Sequence, residues 1–270
     1  MRRNSPAAIT LSVLNYGFMI FIGFTMLVPL FWMISTSLKI PTQIAAYPPI
    51  WIPRPLAWGN YPTAFKAAPF VLFFYNTFKV SILETFGTLI ISSLAAFSFA
   101  RLRFRGKEAA FLVLLTTMMI PYTVRVIPLY AMFKMFGWID THTALIVPPI
   151  LSNVFGVFLL RQFFMSLPMD LDEAARIDGA SSFTIYSRII IPLSKPALAT
   201  LGLFTFRTAW NQFLPALVYI NSQKKYLITV GLTMFQGEHE TAWNLMMAGA
   251  VISIIPIIVL FASAQKYFIR

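Results

Sequence analysis

Four of the chain's nine acidic residues, Asp170, Asp172, Glu173 and Asp178, fall within nine positions of one another. The chemistry they offer is hydrogen-bond acceptance. Asp170 followed by Glu173 fits a capping box, in which each side chain takes an orphan backbone N–H, and clustered carboxylates suit the positive end of a helix dipole. Gly179 can take the left-handed conformation that ends a helix. A short helix, Leu171–Asp178, is thereby specified, with Leu171, Ala174, Ala175 and Asp178 on one face. The two alanines keep that face thin, so another protein's backbone can approach it closely. Ser181 or Ser182 can cap a second helix, Phe183–Ile191. Pro192 must interrupt that helix, because proline lacks the donor and clashes with the preceding turn. An acidic helix, a glycine turn and a second helix make a rigid protrusion.

A second set of polar groups lies inside apolar runs, where such groups are expensive and therefore functional candidates. Asn211 and Gln212 offer amide donors and acceptors suited to sugar hydroxyls, Trp210 offers a stacking face, and Arg207 sits one turn before Asn211. Arg125 lies between Pro121 and Pro128, where a broken helix frees carbonyls that can line a cavity. Glu84 could pair with Lys79, but their spacing on a helix is poor for it. Cysteine is absent and the two histidines, His142 and His239, are far apart, which leaves no metal or redox constellation. A phosphate-binding loop needs glycines ahead of Lys-Ser/Thr. Gly106-Lys107 is followed by Glu108 and has no glycine four or five residues upstream, so no nucleotide cofactor is expected here and the chain is not expected to be an enzyme.

The elements that must position these residues are membrane spans. Of the 270 residues 58% are hydrophobic and only 11% charged, and mean hydropathy is strongly positive. A soluble domain carries about 25% charged residues, so the surface needed for a water-soluble fold is lacking. The +12 net charge would suggest nucleic acid in a soluble protein. Here its short basic clusters between apolar runs read instead as cytoplasmic loops beside anionic membrane lipid. About 20 apolar residues span a bilayer, and six runs qualify: 11–34, 81–99, 109–129 (broken near Pro121 and Pro128), 143–160, 197–220 and 243–264. The first run is too long for a signal-peptide core and lacks a clean cleavage pattern, so it reads as a retained span. With the N-terminus inside, twelve of the 21 Lys and Arg fall in cytoplasmic segments and six in external ones, which puts both termini in the cytoplasm. The expected fold is an all-α integral membrane protein, one transmembrane domain over 1–270, with the protruding loop 166–196 on the cytoplasmic side between spans four and five.

At that loop the sequence resembles a known family. Glu173-Ala174-Ala175, then Gly179 after three residues, then Ile189-Ile190-Ile191-Pro192 after nine more, is similar to the EAA loop of permeases in binding-protein-dependent ABC importers, E-A-A-x3-G-x9-I-x-L-P, departing only at Ile191. Further stretches, including Tyr47-Pro-Pro-Ile-Trp-Ile-Pro53, Ala96-Phe-Ser-Phe-Ala-Arg-Leu102, Gly137-Trp-Ile-Asp140 and Trp210-Asn-Gln-Phe-Leu214, resemble the maltose-type carbohydrate permeases over nearly the whole chain. The resemblance implies an inner-membrane permease subunit of an ATP-driven carbohydrate importer. Its loop is a coupling helix seated in a cleft on a separate ATPase, with Glu173 the main polar contact, Asp178 a second, and Ala174, Ala175 and Gly179 supplying shape. It implies a dimer of ATPase subunits that binds ATP and Mg, a second homologous permease, and an extracytoplasmic sugar-binding protein. Trp210, Asn211, Gln212, Arg207 and Arg125 are the candidates for the solute pathway. A permease for glycerol phosphate or an acidic oligosaccharide is the alternative within the class. An ion-coupled secondary transporter fits less well, because Glu84 is the one acid well inside a span and no internal repeat is evident.

Overall fold

The computed structural model describes residues 6–237 and 240–265. His239 lies outside them, as do the terminal Arg2, Arg3, Lys266 and Arg270, four of the twelve basic residues read as cytoplasmic. The principal helices are α1 (Pro6–Ser37), α2 (Asn60–Ala67), α3 (Phe70–Arg101), α4 (Lys107–Thr116, prolonged by a 3-10 turn to Met119) and α5 (Tyr122–Met135). They continue as α6 (Thr143–Leu151), α7 (Val154–Ser166), α8 (Asp170–Ile177), α9 (Ser182–Leu193), α10 (Lys195–Trp210), α11 (Leu214–Tyr219) and α12 (Trp243–Ala264). Among the described residues four stretches are long and apolar enough to cross a membrane: Thr10–Ser37, Phe70–Arg101, Thr143–Ser166 and Trp243–Ser263. Two bent pairs, α4 with α5 at 99° and α9 with α10 at 79°, bring the count to six if each pair is one span. The protein is all-α, as its composition implied.

The boundaries differ from expectation where polar residues are satisfied internally. The second span begins at Phe70 rather than Ser81, because Asn76 does not face lipid: its amide donates to the carbonyls of Lys224 (2.9 Å) and Tyr226 (3.1 Å). The third breaks at Ile120–Pro121 only. Pro128 stays inside α5, so the expected second break is absent. The fourth runs on to Ser166, across a joint where the Asn153 side chain caps the N–H of Gly156 at 2.7 Å. The fifth ends at Trp210, not Ile220. Asn211 closes the helix, and Pro215 belongs to the separate α11. Pro192 does not end α9. A π-turn over Tyr186–Ile190 widens the backbone ahead of it, and the chain bends instead at Ser194.

The chain divides into two compact units, Met1–Ala68 with Leu232–Ile254, and Pro69–Gly231 with Ile255–Arg270. In the larger unit α3 is the central rod, packed on α6, α7 and α10. Its buried face carries Ser81, Thr88, Ser92, Ser93 and Ala96, small residues that let helices approach closely in a membrane. At Gly156 of α7 an added Cβ would stand 2.8 Å from the Ser92 hydroxyl and 3.1 Å from Leu201. Below this seam lies a core of Phe97, Phe111, Leu160, Phe164, Ile185, Ile190 and Leu201.

Candidate functional site

The acidic segment folds as the short helix α8, one residue earlier than the capping argument placed it. Met169 holds the N-cap position and no side chain caps there; Asp170 is the first helical residue, so the expected capping box does not form. The Met169 carbonyl instead accepts from the N–H groups of Asp172 (2.9 Å) and Glu173 (3.1 Å). The C-terminal end follows the glycine argument. Gly179 has φ +81°, its N–H donates to Arg176 O (3.0 Å), and Ala180 N–H donates to Ala175 O (2.9 Å). These paired bonds are the Schellman closure, which fixes where the chain leaves the helix. Ser181 then caps α9 by accepting from Thr184 N–H at 3.2 Å.

The faces of α8 divide sharply. Asp172 is 2% exposed and Ala175 packs on the core under the helix. Glu173, Ala174, Asp178 and Gly179 point away from the chain and are exposed. Ala175, expected on the partner face, thus turns inward, since it lies three residues after Asp172 on the same side. Beside the outward face stand Ile177, 87% exposed, and Phe183, 69% exposed. An acidic helix thus stands beside two bare apolar side chains.

Asp172 turns inward because of Arg101, the last residue of α3. The Arg101 side chain is fully buried, and its guanidinium lies 3.7 Å from Asp172 Oδ1. It donates to the carbonyls of Phe164 (2.7 Å) and Leu167 (2.9 Å) at the end of α7, and to the sulfur of Met169. One cation therefore ties the C-termini of two spans to the start of α8, where helix dipoles favour positive charge. Nearby, Arg161 of α7 takes both oxygens of Glu108 at 3.1 Å, donates to Phe99 O at 3.2 Å and lies 4.1 Å from the Phe111 ring centroid. Sequence reasoning read both arginines as loop charges. The available signal was their position at the last turn of an apolar run.

The polar groups inside the spans separate into two kinds. Gln212 is 8% exposed, and its amide donates to the Glu84 carboxylate. Trp210 is 1% exposed, stacked on Phe206 at 5.6 Å and edge-on to Phe74 at 5.5 Å. Both were expected on a solute pathway; within this chain they are packed interior, because Glu84 needs a donor and the indole fills the gap between α3 and α10. Asn211 and Arg207 are exposed on one face, with the Asn211 amide donating to Arg207 O at 2.8 Å. Arg125 is half-buried, its guanidinium 5.8 Å from the Tyr122 ring centroid. Among the described residues no group of His, Cys, Asp and Glu could hold a metal.

At the opposite end of α6 from α7, Asp140 has φ 59° and accepts from the N–H groups of Asn221 (3.0 Å) and Ser222 (2.8 Å), from the Ser222 hydroxyl, and from Lys225 Nζ (2.9 Å). The Ser222 hydrogen bonds, ahead of Lys225, hold its carboxyl well below the usual carboxylate range. The fold's gain from this clamp is present above that range and lost only in stronger acid. His142 Nε2 meets Lys225 O at 2.8 Å, and burial pushes its pKa down. The clamp fixes the loop after α5 to the segment after α11.

Residues 87–270 match the family described as binding-protein-dependent transport system inner membrane component. The chain is 32% identical over 241 residues to the sulfoquinovosyl glycerol transport system permease protein SmoH of Agrobacterium fabrum, covering 89% of this chain and 85% of that one. It is 30% identical over 275 residues to the arabinooligosaccharides transport system permease protein AraQ of Bacillus subtilis, covering 100% and 96%. In three dimensions it is similar to a bacterial ABC transporter involved in the import of the acidic polysaccharide alginate, with a TM-score of 0.83 at 24% identity, covering 98% of this chain and 99% of that one.

Proposed function

The chain belongs to the inner membrane components of binding-protein-dependent transport systems, and from that premise we propose that α8 is its coupling helix and that the solute it passes is a carbohydrate. The relatives are transport permeases named for sugar-bearing solutes. The single observation that carries the reading is the build of α8. Glu173, Ala174, Asp178 and Gly179 face outward, while Asp172 and Ala175 are rooted in the bundle. Glu173 is the main polar contact for a cytoplasmic ATPase subunit, and Asp178 the second. Ala174 and Gly179 allow close approach, and Ala175 sets the depth of the helix from below. Closure of two such ATPase subunits on ATP and Mg pushes on this helix and re-aims the spans. Hydrolysis belongs to those subunits, and this chain's part is mechanical and not enzymatic.

Asn211 and Arg207 form the exposed polar face offered to the solute, completed by a second permease subunit, and a binding protein outside the membrane delivers the sugar. Arg125 stands nearest the break between α4 and α5 and is the other pathway candidate. Glycerol phosphate or an acidic oligosaccharide is the second reading, favoured by the exposed Arg207. Both termini lie in the cytoplasm and the membrane is the cytoplasmic one.

The test is purification from detergent, in which an ATPase and a second permease should travel with this chain. Glu173→Lys should abolish uptake in cells while the chain still reaches the membrane in normal amount. Uptake at the wild-type rate by that variant would remove Glu173 from coupling.

A further inference from the structure

At the end of α1 the chain buries a cation to which the described residues give no anion. Lys39 is 1% exposed, with its ammonium 3.6 Å from the centroid of the Trp32 ring. Among the described residues no carboxylate lies within 4.0 Å of it. The hydroxyl of Thr36, three residues earlier and 5% exposed, has no hydrogen-bond partner. Lys39 and Thr36 line a cavity of about 280 Å³ whose remaining wall is Trp32, Ile44, Trp243 and Met247.

The energies do not balance without a ligand. A cation–π contact, even a desolvated one, returns less than removing an ammonium from water costs. Burial accordingly lowers the Lys39 pKa, and an anion in the cavity would reverse that direction. An anion would also give the Thr36 hydroxyl its missing acceptor.

The surroundings indicate which anion. Trp32 and Thr36 belong to the last turns of the Thr10–Ser37 span and Trp243 to the first turn of the Trp243–Ser263 span. Trp51 packs edge-on against Trp32 at 5.0 Å, and Trp58 follows in the same loop. Tryptophans gather where a membrane's headgroups begin. The anion concentrated at that depth is the phosphate of a phospholipid, and Ile44 and Met247 offer apolar contact to the carbon atoms beside it.

We propose that this cavity binds the phosphate of an anionic phospholipid. Lys39 and Thr36 hold the phosphate oxygens, and Trp32 and Trp243 wall the headgroup. None of its lining residues belongs to α8 or to the proposed solute pathway. The test uses the purified assembly, stripped of lipid and titrated with dioleoyl phosphatidylglycerol, dioleoyl phosphatidylcholine or inorganic phosphate, with bound lipid read by native mass spectrometry. Phosphatidylglycerol should be retained at least tenfold more tightly than phosphatidylcholine. Lys39→Gln and Thr36→Val should each lose most of that preference, and Lys39→Arg should keep it. Equal retention of both lipids, or unchanged retention by Lys39→Gln, overturns the proposal. Displacement of the lipid by inorganic phosphate at equal affinity assigns the site to a free anion and overturns the lipid source. Should Lys39→Gln fail to assemble, Thr36→Val, which removes one hydroxyl and keeps the shape, decides alone.

Discussion

Arg101 is the residue on which α8 turns. Its guanidinium is fully buried, bonded to Phe164 O and Leu167 O and paired with Asp172. Removing one member of a buried ion pair strands the other and costs about 3–5 kcal/mol. Arg101→Ala should therefore lower the yield of assembled protein steeply, because two carbonyls at the end of α7 lose their donor and Asp172 its counter-charge together. Asp172→Asn is the sharper probe. It leaves the carbonyl bonds of Arg101 in place and removes only the charge holding α8. The expected outcome is normal assembly with ATP hydrolysis that no longer rises when loaded binding protein is added, and recovery in Asp172→Glu. Full stimulation in Asp172→Asn would show that the pair does not transmit motion.

The helix seam between α3 and α7 is governed by size. Gly156 has the Ser92 hydroxyl 2.8 Å and the Asn153 side-chain carbonyl oxygen 2.9 Å from where a Cβ would stand, so Gly156→Val must displace those side chains and crowd the α3–α7 contact. Overpacking of this kind costs about 1–3 kcal/mol, and the expected result is a lower thermal midpoint in detergent with α8 still accessible; an unchanged midpoint would mean the seam yields freely. This level of organisation was only partly legible in the sequence. The spans and the Gly179 stop were readable because hydropathy and a left-handed glycine are local properties. The early start at Phe70, the end at Trp210 and the inward turn of Asp172 were not, because Asn76, Gln212 and Asp172 find their partners up to 150 positions away. A polar residue whose partner is distant looks, in one dimension, like a boundary or a site. Gln212, whose amide meets Glu84 from 128 positions away, is such a residue.

For the molecule as a whole, the reading requires α8 and the Asp140 clamp to lie on opposite sides of the membrane. The absence of cysteine makes this directly measurable. A single Cys at Ile177, 87% exposed, should react with a membrane-impermeant maleimide only in inside-out vesicles. One at Phe136, 56% exposed, should react only from outside the cell. Labelling of Ile177→Cys on intact cells would invert the topology and with it the assignment of α8.

The bare length of α1 has a consequence of its own. Its apolar stretch, Thr10–Ser37, is 28 residues with none of its most apolar window buried. At 1.5 Å per residue it is about 42 Å long, some 12 Å more than the hydrocarbon thickness of about 30 Å. Lying wholly within the hydrocarbon would demand an inclination of about 45° from the bilayer normal, steeper than spanning helices usually adopt. Within the described structure only the last turn of α1, Ser35–Ser37, is buried to resist rotation. Part of the helix, at one end or both, must therefore stand in the headgroup layer rather than in the hydrocarbon.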